Sequence, residues 1–180
     1  MINTDNIIVS VINREKHKDV INAVPHREIL DLALIYRSIN ETPDDGICSI
    51  IVNDNMMKRL DKTEEELFQL AMENTERMLP FTIEEIDTHF YVMTNPGRIF
   101  GAAGAFVTDR LWTLAEKHER GLYVLPSSVH EVFVLPDYGQ DPEYLKSVVE
   151  DANETVVKPK DVLSDSVYYY DRDSRKMKIV

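Results

Sequence analysis

Residues Leu122 to Asp137 bring Ser127, Ser128, His130 and Glu131 together between two apolar runs, Leu122–Leu125 and Val132–Leu135. A serine nucleophile with a histidine base is the usual means of splitting acyl transfer into two easier steps. On an extended chain Ser128 and His130 share a face, whereas Glu131 points the other way unless the strand bulges. The segment lacks a Gly-x-Ser-x-Gly elbow and a glycine-rich oxyanion loop, so a small hydrolase using Ser128 and His130 is the alternative reading. The leading one makes Pro126-Ser127-Ser128 a turn whose hydroxyls satisfy nearby backbone, and assigns no catalytic residue.

Other clusters yield no stronger chemistry. Pro25-His26-Arg27-Glu28 and His130 offer mixed metal ligands, but no His-x-x-x-His spacing exists and Cys48 is the only cysteine. No metal and no cofactor is expected, and a salt-bridged network is the simpler reading. Gly101-Ala102-Ala103-Gly104-Ala105 lacks the lysine and hydroxyl of a phosphate loop. Tyr168-Tyr169-Tyr170 with Arg172, Arg175, Lys176 and Lys178 is the one basic, aromatic stretch, a weak exception to the expectation of no direct nucleic-acid binding.

The elements that would position these residues follow from periodicity and punctuation. Ile7–Ile12 reads as a strand, and a short helical turn leads into Pro25. Helix and strand compete over the apolar, non-alternating run Ile29–Arg37, with a strand over Leu32–Ser38 favoured. Ile47–Val52 reads as a strand after a Pro43-Asp44-Asp45-Gly46 turn. Asp54–Leu60 reads as a short helix. Thr63-Glu64-Glu65-Glu66 is a capping box opening a helix with Leu67, Leu70, Ala71 and Met78 inward and Glu65, Glu66, Glu73 and Glu76 outward. Thr82–Asp87 reads as one more acidic helical turn, and His89–Thr94 with Ile99–Phe106 as a hairpin. Thr108 caps a helix carrying Leu111, Leu114, Ala115 and His118 that Gly121 closes. Asp141-Pro142-Glu143 starts a helix with Leu145, Val148, Val149 and Ala152 inward, and Val167–Tyr170 and Met177–Val180 close the chain as a hairpin. Grouped strands with intervening helices predict one α+β domain over residues 1–180 with a largely antiparallel sheet.

The chain carries 20 Lys and Arg against 32 Asp and Glu, a net charge of −12 over 180 residues. Residues 41–100 hold 13 acids and 5 bases, net −8. Such a field repels phosphate backbones and attracts basic surfaces. Carboxylates in a first helical turn complement the helix dipole, which accounts for Glu64, Glu65 and Glu66 but not for Glu73, Glu76, Glu84, Glu85 and Asp87. The eight together are the expected partner-binding residues. Absence of a basic leader and of a long apolar run predicts a cytoplasmic protein without membrane contact.

Pro25-His26-Arg27-Glu28, the Leu-Pro-Ser-Ser-x-His-Glu-Val core of Leu122–Leu135, and Val162–Tyr168 with Tyr170-Asp171-Arg172 resemble an uncharacterised bacterial family of unknown function from gut anaerobes and their mobile elements. The resemblance implies a compact α+β domain in a mobile-DNA context and brings no activity, cofactor or catalytic residues. In kind, such a protein is similar to phage-borne anti-CRISPR inhibitors. The expected function is therefore an acidic, non-enzymatic binding protein that inhibits a nucleic-acid-binding effector by docking on its basic surface, that of an RNA-guided nuclease of the Cas9 type being the concrete case. A structural or regulatory interaction domain is the other non-catalytic reading.

Overall fold

The computed structural model describes residues 3–41, 47–126 and 128–180. The Pro43–Gly46 turn and Ser127 lie outside them. The chain divides into two compact units, Met1–Pro80 and Phe81–Val180; no composition shift or flexible linker marks the junction in the sequence. Each holds its own antiparallel sheet, and the class is α+β.

In the first unit β3 (Leu32–Glu41) is the strand on which the others assemble. It pairs antiparallel with β1 (Ile7–Asn13), β2 (His26–Ile29) and β4 (Ile47–Ile51). β1 lines β3 from Leu32 to Ser38, so β2, against Leu32–Ile35, and β4, against Arg37–Glu41, must follow each other along the opposite edge. Leu32 to Tyr36 are all buried, which explains an apolar run without alternation: a strand covered on both faces has no polar side to show. One face packs Ile12, Ala33 and Ile35 against Ile21 and Val24, which flank the end of α1 (Lys18–Ile21). β2 was not anticipated from the sequence, since His26-Arg27-Glu28 carries no apolar alternation.

α2 (Asp54–Leu60) begins at Asn53, whose side chain accepts from Met56 N. α3 (Glu64–Met78) begins with the expected reciprocal box: Thr63 accepts from Glu66 N, and the Glu66 carboxylate accepts from Thr63 N. Its fully buried positions are Leu67, Ala71, Asn74 and Thr75, while Leu70 and Met78 are only half-buried. The two polar side chains face β1. Val9 N donates to Thr75 Oγ1 at 3.0 Å, and Asn74 Nδ2 donates to Ile7 O at 2.9 Å and to Thr4 O at 2.8 Å. Val9 N and Ile7 O lie on the β1 edge that β3 does not use, so α3 supplies hydrogen bonds where another strand would have done so.

In the second unit six strands run in the spatial order β10-β9-β7-β8-β6-β5, every pair antiparallel. They are β5 (Thr82–Asp87), β6 (Phe90–Thr94), β7 (Leu122–Leu125), β8 (Val132–Pro136), β9 (Tyr168–Asp171) and β10 (Lys176–Ile179). Two expectations about strands fail here for definable reasons. Thr82–Asp87 is an edge strand, because β-branched Thr82 and Ile83 favour extended chain and β6 supplies its backbone partners. Residues 99–106 form a 3₁₀ turn, Gly101–Ala103, leading into α4 (Gly104–Val107), so β6 turns back on β5 and β8 instead. A Cβ on Gly101 would sit 2.6 Å from Thr94 Cα, and only glycine permits that approach.

α5 (Arg110–His118) buries Leu111, Leu114 and Ala115 as expected. Its N-cap is Asp109 rather than Thr108, whose hydroxyl accepts from Arg110 N one residue earlier. It ends with Glu119, not Gly121, in the left-handed region at φ 54°. α6 (Pro142–Thr155) is capped by Asp141 and packs Leu145 and Val149 against Tyr123, Leu125 and Val167. Val148, expected in this core stripe, is 41% exposed.

Replacing Thr75 by Val, or Asn74 by Leu, leaves a buried β1 donor or acceptor unsatisfied, and each should cost about 1–3 kcal/mol of stability. Urea unfolding followed by circular dichroism measures this. Thr75→Ser keeps the hydroxyl and should lose less than Thr75→Val.

Candidate functional site

The Ser128–Glu131 segment is a turn. Ser128 N donates to Glu131 O at 3.1 Å, and Ser128 Oγ accepts from His130 N at 3.1 Å. Val129 N donates to Asp161 O at 2.9 Å, which joins the turn to the segment preceding Val162. A third segment arrives from the end of β6: Thr94 Oγ1 donates to His130 O at 2.9 Å, and Arg98 meets Glu131 at 2.9 Å. Arg98 and Phe100 adopt left-handed φ of 49° and 55°, held by paired hydrogen bonds between the buried Asn95 side chain and the Ile99 backbone. Two of the three sequence motifs, Leu122–Leu135 and Val162–Tyr168, thus lie on neighbouring segments, while Pro25–Glu28 lies in the first unit.

The His130 ring is committed on both sides. Phe100 N donates to Nδ1 at 3.3 Å, which makes Nδ1 an acceptor and puts the neutral ring's proton on Nε2, facing Asp161 Oδ1 at 3.5 Å. Neither nitrogen faces Ser128 Oγ, whose contact is the backbone N of His130. Serine activation needs that missing contact. What the arrangement does is lock three segments together. Among the described residues no group of three or more His, Cys, Asp or Glu side chains converges as for a metal.

The eight acidic residues divide between the units. Glu64, Glu65, Glu66, Glu73 and Glu76 lie on α3; Glu84, Glu85 and Asp87 lie on β5. Glu64 is an internal partner: Arg27 Nε and Nη2 reach its two oxygens at 2.8 and 2.9 Å, and the hydroxyl of fully buried Tyr36 donates to it. The Arg27 guanidinium also stacks on Phe68, 3.8 Å from the ring centroid. Burial, then the Glu64 carboxylate, pushes the Tyr36 phenol far up. The Pro25–Glu28 knot is therefore a network tying β2, β3 and α3.

Glu65 accepts from Gln69 and Arg27, Glu66 from Thr63, and Glu85 from His89 N, each bond holding its carboxylate below the ordinary range. Glu84 is 4.0 Å from Arg98, and Asp87 accepts from Thr88 N. Glu73 is exposed with no hydrogen-bond or ion-pair partner among the described residues, and Glu76 is exposed.

The sequence reading passed over α6. Glu143, Glu150, Asp151 and Glu154 are exposed there without side-chain partners among the described residues, beside Tyr144 at 65% and Val148 at 41% exposure. The signal was available: Glu143, Glu150 and Glu154 recur at i, i+7, i+11, on one side of a helix. The charge excess is shared, with 15 acids and 9 bases in residues 1–80 and 17 and 11 in residues 81–180.

A second cluster in this unit surrounds His118. Tyr91 Oη lies 2.8 Å from His118 Nε2 and 3.2 Å from Lys117 Nζ, which also pairs with Glu85 at 3.5 Å. Tyr138 Oη is 3.5 Å from Nδ1, and the His89 ring meets the imidazole edge-on at 5.3 Å. Partial burial, Lys117 and His89 lower the His118 pKa from 6.5. Burial, Arg37 and Lys16 do the same for His17. Below 6.5 the unfolded chain takes up protons that these folded imidazoles refuse, so stability falls as the pH drops from 6.5 toward the folded values. Urea midpoints between about pH 7.5 and 5.5 should decline, and His118→Asn combined with His17→Asn should flatten the decline.

No helix among the described residues is long and apolar enough to cross a membrane. A protein-family model described as a family of unknown function, DUF5688, matches residues 3–90 and 84–172. No curated protein and no solved structure matches the chain.

Proposed function

The chain belongs to this family of unknown function, and from that premise we propose that it is a non-enzymatic binding protein that docks its exposed carboxylates on a basic partner. The observation that carries the reading is the outer face of α6, where four unpaired carboxylates border exposed Tyr144 and Val148. Carboxylates already held by internal partners have less to gain from a new cation, which sets Glu64, Glu65 and Glu66 aside and favours α6. Long-range attraction gives fast association, and burial of an aromatic anchor slows release.

A positively charged nucleic-acid channel is a surface of the required kind. Occupying that of an RNA-guided nuclease of the Cas9 type would exclude DNA, which is anti-CRISPR inhibition. His130, with both nitrogens committed, argues for binding over hydrolysis at Ser128.

Titrating the protein into a guide-loaded Cas9-type nuclease should reduce DNA cleavage, and added salt should relieve the effect. Changing Glu143, Glu150, Asp151 and Glu154 to Lys should weaken inhibition about tenfold or more, mainly through slower association. Tyr144→Ala should instead speed dissociation. Undiminished cleavage at micromolar protein sinks the nuclease reading; inhibition indifferent to the quadruple change sinks the assignment to α6.

A further inference from the structure

We propose that the second unit binds a second copy of this chain head to tail, the β5 edge of one sheet pairing antiparallel with the β10 edge of the next. β5 and β10 are the two edges of the six-stranded sheet. Because all five pairings between them are antiparallel, the two edge strands run in opposite directions. A copy displaced along the sheet therefore presents its β10 antiparallel to β5 and continues the ladder.

The side chains carry the argument further. Cross-strand partners share a face, as do residues two apart. Lys178 opposes Tyr169, Tyr169 opposes Tyr123, and Tyr123 opposes Leu135. Phe133, two residues from Leu135, opposes Val92, and Val92 opposes Glu84. Lys176, Lys178 and Glu84 thus lie on one face of the sheet.

Simple alternation would turn Asp87 to the other face, but the register shifts between Glu85 and Asp87, so that Asp87 opposes Phe90. Phe90 lies two residues from Val92 and stacks on Phe133 at 5.1 Å, which confirms its face. The bulge therefore aims Asp87 the same way as Glu84. One edge carries two exposed carboxylates a single pleat repeat apart, and the opposite edge carries two exposed ammonium groups at the same spacing on the same face. Setting Glu84 against Lys178 of the next copy puts Asp87 against Lys176 across the bulge. The same register places Ile83 against Ile179 and Thr82 against Val180. Ile179 and Val180 are 46% and 37% exposed in the single chain.

Charged edge residues and bulges commonly guard sheets against edge-to-edge association. Here each edge guards only against itself: two β5 edges repel through carboxylates and two β10 edges through lysines. Opposite signs at the two ends leave one favourable combination, the heterologous one, whose repetition gives a ring or an open chain. The local contacts of these groups are solvent-exposed. Glu84 lies at 4.0 Å from Arg98 and accepts from Thr82 Oγ1 at 3.3 Å, Asp87 accepts from Thr88 N at 2.6 Å, and Lys178 Nζ lies 5.4 Å from the Tyr169 centroid. Each is an exposed contact that leaves the carboxylates and ammonium groups open to water.

Sedimentation velocity of the full chain at about 20 mM salt should show species that grow with protein concentration and dissociate at about 500 mM. E84K/D87K makes both edges basic and K176E/K178E makes both acidic. Each variant alone should sediment as a monomer with an unchanged circular dichroism spectrum, and an equimolar mixture of the two should assemble again. A wild-type chain that stays monomeric at every concentration and salt overturns the proposal. So does assembly that persists in either variant alone, or a mixture that fails to assemble while both variants are folded.

Discussion

A β-sheet stops where its backbone donors and acceptors find something other than a strand, and the architecture of this chain turns on how each sheet ends. In the first unit the outer edge of β1 is buried, so water cannot serve it. Thr75 and Asn74, polar residues on the inward stripe of α3, serve it instead. That requirement fixes the rotation of α3 about its axis more tightly than apolar packing alone, because a hydroxyl and an amide must each meet one particular backbone atom. With α3 so placed, Glu64 in its first turn comes within reach of Arg27 and Tyr36, and β2 joins the same frame. The second unit leaves its terminal strands in water, where charge takes the place of hydrogen-bond closure.

Much of this was legible in the sequence and the remainder failed for physical reasons. The capping box at Thr63, the Pro142 start of α6 and the closing hairpin are local devices whose geometry is written within four or five residues. β3 was harder to read: its apolar run lacks alternation, so helix and strand compete there on local pattern alone, and only the two flanking strands decide for the strand. Thr82–Asp87 misled because glutamates favour helix in isolation, whereas the strand is imposed by β6, a tertiary partner that local propensity does not see. Residues 99–106 misled in the opposite sense: their alanines and glycines carry too little side chain to distinguish a strand from a tight helical turn. Glu119 takes the left-handed position assigned to Gly121, and that glycine instead makes room for the Tyr169 ring.

For the candidate site, residue types were easier to read than their engagements. Ser128 satisfies backbone as the turn chemistry implies, yet the approach of Phe100 N and Asp161 to His130 depends on segments about thirty residues away on either side, beyond any local pattern. The acidic block was visible as composition, but composition does not reveal which carboxylates are already spoken for. Arg27, some 37 residues away in sequence, removes Glu64 and Glu65 from the available surface. α6, with fewer acids per residue, keeps more of them free.

The clamp between β1 and α3 has a consequence for how the first unit comes apart. Its first strand and last helix are bonded to each other, so neither β1 nor α3 frays independently of the other. Slow hydrogen exchange at Val9 and at the α3 turn containing Ala71 would belong to one cooperative opening. A break in the backbone at an intervening surface loop would leave two fragments still held by side chains from opposite ends of the unit. In topological terms the unit is a ring closed by α3 side chains on β1, and it opens as a whole.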